Sequence, residues 1–193
     1  MDRVSVRESL RAGSALLWRL ASDREFHKKI ESAADRCVRA IRRGGKILAF
    51  GNGGSAADAQ HFACELVGRF ERERRALPVI ALNTNVSVLT SVGNDYGFER
   101  IFDRQVEALG RRGDVVFAIS TSGKSENVNR ALRLAGRRGI FRIGLTGKTG
   151  GQMSKLVDLE LRVPPSPTPR TQESHITIIH ILCDLIESSF AKK

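Results

Sequence analysis

Apolar residues recur at three- and four-residue steps across residues 2–43: Leu10, Leu16, Leu17 and Leu20, then Ile30, Ala34, Cys37, Val38 and Ile41. That period predicts two amphipathic helices, the second closed by Gly44 and Gly45. The pattern then changes. Four short apolar runs, Ile47 to Phe50, Pro78 to Leu82, Val115 to Ile119 and Ile140 to Leu145, alternate with segments of helical period. A fifth run, Leu159 to Val163, alternates apolar with charged residues, as an edge strand would. Short strands separated by helical stretches predict an α/β fold: a doubly wound, mainly parallel sheet flanked by helices, with a helical N-terminal extension. Pro164, Pro165, Pro167 and Pro169 read as a stiff connection, and residues 172–190 as a last amphipathic helix. With no repeat and no linker, residues 1–193 read as one domain, with N-terminal helices at 1–43 and the α/β core and C-terminal helix at 44–193.

Composition removes several function classes. No apolar run reaches the ~18 residues of a membrane span, and the charged N-terminus lacks the apolar segment of a secretory signal, so a cytoplasmic location is expected. Cys37, Cys64 and Cys183 are odd in number and far apart, which predicts three buried thiols and no disulfide framework or cysteine zinc knuckle. The net charge is +11, so an anionic partner is expected. Residues 1–50 hold 12 basic and 6 acidic groups and residues 101–150 hold 10 and 4, which concentrates the excess in two segments. Much of it falls in helical registers such as Arg36, Arg39, Arg42, Arg43 and Arg130, Arg133, Arg137, Arg138, the pattern of solvated faces. One Trp and one Tyr give little material for base stacking, which leaves nucleic-acid binding the weaker reading and a small anionic molecule the stronger one.

In a doubly wound sheet, ligands bind beyond the carboxyl ends of the strands. Two loops there carry chemistry. Gly51-Asn52-Gly53-Gly54-Ser55 follows the first strand and opens the helix read over Ala56 to Phe70; its glycines let backbone approach an anion at a helix N-terminus. A dinucleotide site would also want an acidic residue ending the second strand, where the chain has Asn83, so that reading loses. Ser120-Thr121-Ser122-Gly123-Lys124-Ser125 follows the third strand: four hydroxyls, a glycine and a helix start suit a phosphate monoester, beyond what one N-cap requires. A nucleotide-triphosphatase loop would need glycine where Ala118 stands.

His61 and Glu65 share one helical face at i, i+4, a spacing open to a shared divalent metal, a free carboxylate base or a plain hydrogen bond. Gln172, His175 and His180 lie on the final helix, where His180 is either a satisfied core residue or a group facing a cleft. Asn94-Asp95 add polar groups suited to sugar hydroxyls.

Together, the stretch from Gly51-Asn52-Gly53-Gly54-Ser55 to His61, Val92-Gly93-Asn94-Asp95-Tyr96-Gly97, Ser120 to Ser125, and Thr171-Gln172-Glu173 with His180 resemble bacterial phosphoheptose isomerases of the sugar isomerase (SIS) domain superfamily, in order over nearly the whole chain. The resemblance implies conversion of sedoheptulose 7-phosphate to D-glycero-D-manno-heptose 7-phosphate, the first step toward nucleotide-activated heptose for surface polysaccharide. It implies one zinc ion per subunit on His61, Glu65, Gln172 and His180. It also implies substrate contacts from Asn52, Gly53, Gly54, Ser55, Glu65, Asn94, Asp95, Ser120, Thr121, Ser122, Ser125 and Gln172, and a cytoplasmic homotetramer with active sites at subunit contacts.

Ketose–aldose interconversion moves a proton between C1 and C2 through an enediol or enediolate, which assigns Glu65 as the base at carbon and His180 as the acid and base at oxygen. A tightly bound zinc ligand and a free base are competing roles for Glu65. Gln172 and His180 are about 12 Å apart along a straight helix and about 80° apart in rotation, so converging on one ion requires long side chains, a helix that begins after Gln172, or two subunits. Two other readings stand: a non-enzymatic tetrameric SIS-fold partner of a replication initiator protein, and an SIS isomerase for another sugar phosphate. The scaffold has no chemical need for His61, Glu65 and His180 together.

Overall fold

The computed structural model describes residues 5–191; residues 2–4 of the first expected helix lie outside them. Helix α1 (Val6–Ala21) is capped by Ser5, whose Oγ accepts the Glu8 N–H, and α2 (Arg24–Arg42) by Asp23, whose carboxylate accepts the Phe26 N–H at 3.0 Å. Each side chain satisfies an amide that the helix itself leaves unpaired. Strand β1 (Ile47–Gly51) leads into α3 (Gly54–Val67), then β2 (Val79–Ala81), α4 (Val86–Tyr96), α5 (Asp103–Leu109), β3 (Val115–Ser120), α6 (Glu126–Arg137), β4 (Phe141–Thr146), β5 (Leu159–Arg162) and α7 (Thr168–Ser188).

The five strands pair in the order β2-β1-β3-β4-β5, every pair parallel. The central strands β1 and β3 are buried at every position, because helices cover both faces. Residues of opposite parity feed two cores. Ile47, Ala49, Phe117 and Ile119 pack with α1, α2, α3 and α7; Leu48, Phe50, Val116 and Ala118 pack with α5 and α6. The alternating run lies at the sheet edge as β5, where one side has no neighbour to bury it. The strand order reverses between β1 and β3, whose ends are in register at Gly51 and Ile119. A crevice forms at such a reversal, because the two following connections leave on opposite faces of the sheet.

Three expectations need correction. Helix α7 begins at Thr168, four residues before the expected start, with Pro169 in its first turn. A proline there gives up an N–H that would have had no helical partner. Gln172 and His180 therefore lie on one continuous helix, which removes the option of a helix starting after Gln172. Helix α3 runs from Gly54 to Val67 in place of Ala56 to Phe70, because residues 70–72 turn out of the helix to bind Glu187. Cys37 and Cys183 are buried as expected, and burial pushes the Cys37 thiol up to about 12; Cys64 is exposed, on the outer side of α3.

Phe62 of α3 stacks on Phe117 of β3, ring centroids 4.9 Å apart, both fully buried. Phe62→Ala should lose about 3–5 kcal/mol of unfolding free energy in urea titration; a loss under about 1 kcal/mol would mean that α3 is not held to the sheet by this contact.

Candidate active site

Both chemistry-bearing loops lie at the reversal of strand order. Gly53 adopts φ 56°, a left-handed turn that delivers the chain into α3 without a side-chain cap; the Ser55 and Ala56 amides are taken by the Asn52 and Gly53 carbonyls, both at 3.0 Å. Asn83, after β2, pins the loop: its amide donates to the Gly51 carbonyl at 2.8 Å and its oxygen accepts the Gly51 N–H at 3.4 Å. Across the crevice, Asn52 and Asn127 exchange amide hydrogen bonds, both 2.9 Å, tying the glycine loop to the start of α6.

The hydroxyl loop is held just as firmly. Ser120 Oγ accepts the Gly123 N–H at 3.1 Å and lies 3.3 Å from Ser125 Oγ, while Ser122 Oγ accepts the Lys124 N–H at 3.2 Å. Gly123 has φ 63°, and a Cβ there would collide with the Gly150 backbone, so the loop is clamped from behind. Ser125 is the N-cap of α6, yet its side chain makes no capping bond. Thr121, Ser122 and Ser125 are half-buried. The hydroxyls thus gather at the carboxyl end of β3 beside the uncapped start of α6, an arrangement that suits a phosphate group.

The acid and base groups come together on α3 and α7. His61 Nε2 and His180 Nε2 are 2.9 Å apart, and His61 Nε2 is 3.5 Å from Glu65 Oε1. In a neutral pair one ring carries the Nε2 proton and the other accepts it. Two imidazoles and a carboxylate are donors of the kind zinc takes. Among the described residues no three such side chains form a group spaced to hold a metal ion. Two nitrogens on one tetrahedral ion stand about 3.3 Å apart, so the pair would open by roughly 0.4 Å to admit one. Gln172 is two turns before His180, its amide packed against Gly54 so tightly that a Cβ at that glycine would collide with it. It joins the glycine loop directly, and no hydrogen bond links it to the two histidines.

Asn94 and Asp95 lie on α4, exposed, bonded to each other at 2.8 Å and to none of the other candidates. Ser55 is buried in the first turn of α3. His175 is a core residue: it is fully buried, its Nε2 bonds the Thr146 carbonyl oxygen at 3.1 Å, and burial pushes it down to about 4, so it stays neutral.

Four groups escaped the sequence reading. Asp58, three residues before His61, is buried with Oδ2 unpaired, and burial pushes it up to about 6. Asn127 sits just past the hydroxyl loop, where its position was a usable signal. Glu187, a charge on the apolar face of α7, accepts the N–H groups of Phe70, Glu71 and Arg72 at 2.7–2.8 Å and pairs with Arg74 at 3.2 Å, both side chains fully buried. Arg74 in turn donates to the backbone carbonyls of Glu65 and Gly68 at 2.7 and 2.6 Å. This clamp holds the end of α3 that carries Glu65, and it places the Phe70 ring 5.6 Å from that of His180.

Comparison with known proteins agrees with this geometry. The model of the SIS domain matches residues 12–147, more than half of the chain. A phosphoheptose isomerase of Geobacter sulfurreducens is 58% identical over 178 residues, 92% of this chain and 93% of its own. The chain belongs to the SIS domain family, among the phosphoheptose isomerases. Two solved phosphoheptose isomerases share its architecture: that of Francisella tularensis, with TM-score 0.91 and 39% identity over 95% and 96% of the two chains, and that of Neisseria gonorrhoeae, with TM-score 0.82 and 45% identity over 94% of each. As a phosphoheptose isomerase the chain is an enzyme, which sets aside the non-enzymatic scaffold reading. None of its described helices is long and apolar enough to cross a membrane.

Burial pushes the Glu187 carboxyl up, but the three N–H bonds and Arg74 outweigh it and hold it below the usual carboxylate range. A carboxyl with a lowered folded value stabilises the fold above its unfolded value of about 4 and ceases to as pH falls through the folded one. Glu187→Gln should therefore cost about 3 kcal/mol at pH 7, and the gap to wild type should shrink in unfolding titrations below about pH 4. A gap independent of pH would mean that the lost stability is not tied to this charge.

Proposed function

We propose that the chain interconverts sedoheptulose 7-phosphate and D-glycero-D-manno-heptose 7-phosphate through an enediol or enediolate, opening the route to nucleotide-activated heptose. The observation that carries this reading is the meeting of His61 with both Glu65 and His180 between α3 and α7, in a chain whose β3–α6 loop carries the hydroxyl cradle. The relatives named phosphoheptose isomerase supply the substrate class.

In this reading Ser120, Thr121, Ser122 and Ser125 bind the phosphate through hydroxyls and the open amides of α6. Asn52, Gly53, Gly54 and Ser55 line the path of the sugar, and Gln172, packed on Gly54, orients it from α7. Glu65 takes the proton from C1 and returns it to C2, and His180 moves a proton between the two oxygens, its ring steadied by His61 and Phe70. His61, His180 and Glu65, with Gln172 turned toward them, would hold one zinc ion. When bound, it supplies Lewis-acid polarisation of the carbonyl. Zinc binding and proton transfer at carbon draw on the same Glu65 lone pairs.

The reading includes a cytoplasmic homotetramer with sites at subunit contacts. What supports assembly is α4, which buries no residue within the chain and leaves Val86, Tyr96 and nearby Phe98 more than half exposed. A second copy covering that face would also enclose Asn94 and Asp95, which gives those two side chains a place in a site that one chain does not complete.

Purified protein incubated with sedoheptulose 7-phosphate should form an aldose of the same mass. Glu65→Gln should lower kcat by at least about a hundredfold with substrate affinity retained, and Ser122→Ala with Ser125→Ala should raise KM about tenfold with kcat largely kept. No aldose from wild type with zinc added, or native turnover in Glu65→Gln, would contradict the assignment.

A further inference from the structure

The opposite end of the sheet carries a second concentration of chemistry. Helices of a parallel sheet hand the chain back at the N-terminal edge of the strands, so the turns entering β1, β3 and β4 gather there. Each is basic: Arg42-Arg43, Arg111-Arg112 and Arg137-Arg138. These turns lie in the two segments that hold the excess positive charge of the chain, on the far side of the sheet from the phosphate cradle.

A cavity of about 310 Å³ opens among them, walled by Arg36, Arg39, Arg43 and Arg112 and floored by Asp114 and Phe141. The carboxylate is already taken: Asp114 accepts from Lys46 Nζ at 2.6 Å and from the N–H groups of Lys46 and Arg111 at 2.9 and 2.8 Å. Among the described residues, none of the four arginines has a carboxylate within ion-pair distance. Arg36 lies over the Phe141 ring at 4.0 Å, which fixes one guanidinium facing the cavity. Gly113, at φ 99°, leaves open space where a Cβ would stand, so a ligand can approach the backbone. A second hollow of about 340 Å³ continues past Arg36, Gly139 and Phe141 toward Arg142, whose own partner is Asp158.

Cations at helix C-termini are favoured by the helix dipole, and that explains a basic last turn on α2 and α6. It does not gather four guanidiniums from two separate elements around one hollow with its carboxylate neutralised. One phosphate group is satisfied by one or two bidentate arginines. Four of them match a larger anionic charge. We infer that this cavity is a second anion site, separate from the cradle, that takes a compound with adjacent phosphate groups, inorganic diphosphate or the diphosphate of a nucleotide.

Calorimetry on the full chain at low salt, with pyrophosphate, ADP and orthophosphate as probes, tests it. Pyrophosphate and ADP should bind at least about tenfold more tightly than orthophosphate, and Arg39→Ala with Arg112→Ala should weaken both by about tenfold or more while thermal unfolding and isomerase turnover stay as in wild type. ADP equal to pyrophosphate places recognition in the diphosphate alone; ADP tighter extends it into the adjoining hollow. Ser122→Ala with Ser125→Ala should leave this binding intact. The inference is overturned if neither diphosphate binds, if the serine pair and not the arginine pair abolishes binding, or if a short DNA duplex binds more tightly than ADP through the same arginines. None of these outcomes depends on which sugar the enzyme turns over.

Discussion

The register of α3 against α7 is the constraint on which the rest of the molecule depends. The two helices run in the same direction and touch at two named points: Gly54 against the Gln172 amide, and His61 against His180 at 2.9 Å. Seven residues separate the first pair from the second on α3 and eight on α7, roughly 10–12 Å of helix in each case. A slip of one residue would rotate an imidazole by about 100° and break the contact. Beyond His61 the two elements are locked again, by Glu187 and Arg74. Burying that pair would be costly if either partner stood alone, and its three amide donors and three carbonyl acceptors offset the cost, with Arg74 Nε the one guanidinium nitrogen left unpaired. Arg74 also takes up the carbonyl of Glu65, so the same clamp that fixes the helices fixes the residue assigned to carbon.

Sheet order supplies the other half of the site. Because the strand order reverses between β1 and β3, their loops flank one crevice, and amide pairs close the distance between them. Asn83 takes both backbone groups of Gly51, and Asn52 and Asn127 satisfy each other, so a loop that lacks regular structure is left with few free conformations. The glycine after the hydroxyls has a similar role: only a residue without a Cβ lets Gly123 lie against Gly150. Rigidity here lets the hydroxyls and amides meet an anion without first being reorganised.

Much of this was legible in the chain. Short apolar runs marked strands β1 to β4 to within about one residue, because burial on both faces leaves few polar positions to confuse the pattern, and alternation marked the edge strand β5 as closely. The helix ends were less legible. Pro169 looked like a barrier to α7 and is tolerated in its first turn, and Phe70 looked like the last apolar position of α3 while its amide is drawn off to a carboxylate 117 residues away. Cys64 shares the apolar look of its neighbours and faces outward, since composition alone does not tell which side of a helix the sheet will cover. Of the site, the two loops and the His61–Glu65 pair were visible by residue type and spacing, and His180 joined them through the resemblance to phosphoheptose isomerases. Asn127, Arg74 and Glu187 were not singled out, and Asn83 was noted only as the wrong residue for a dinucleotide site, because their roles are defined by partners distant in sequence. For Gln172, spacing placed it two turns from His180, and the structure keeps it there, beside the glycine loop.

The account makes one chemical claim above the others: the carboxylate and imidazole that meet between α3 and α7 move a proton between adjacent carbons of an anchored sugar. Running the reaction in deuterium oxide and locating the label by NMR addresses it directly. The account predicts that aldose formed by the wild-type enzyme carries solvent deuterium at C2, because a carboxylate proton exchanges with water. Aldose formed at full rate with no deuterium at that carbon would show direct hydride transfer and contradict it.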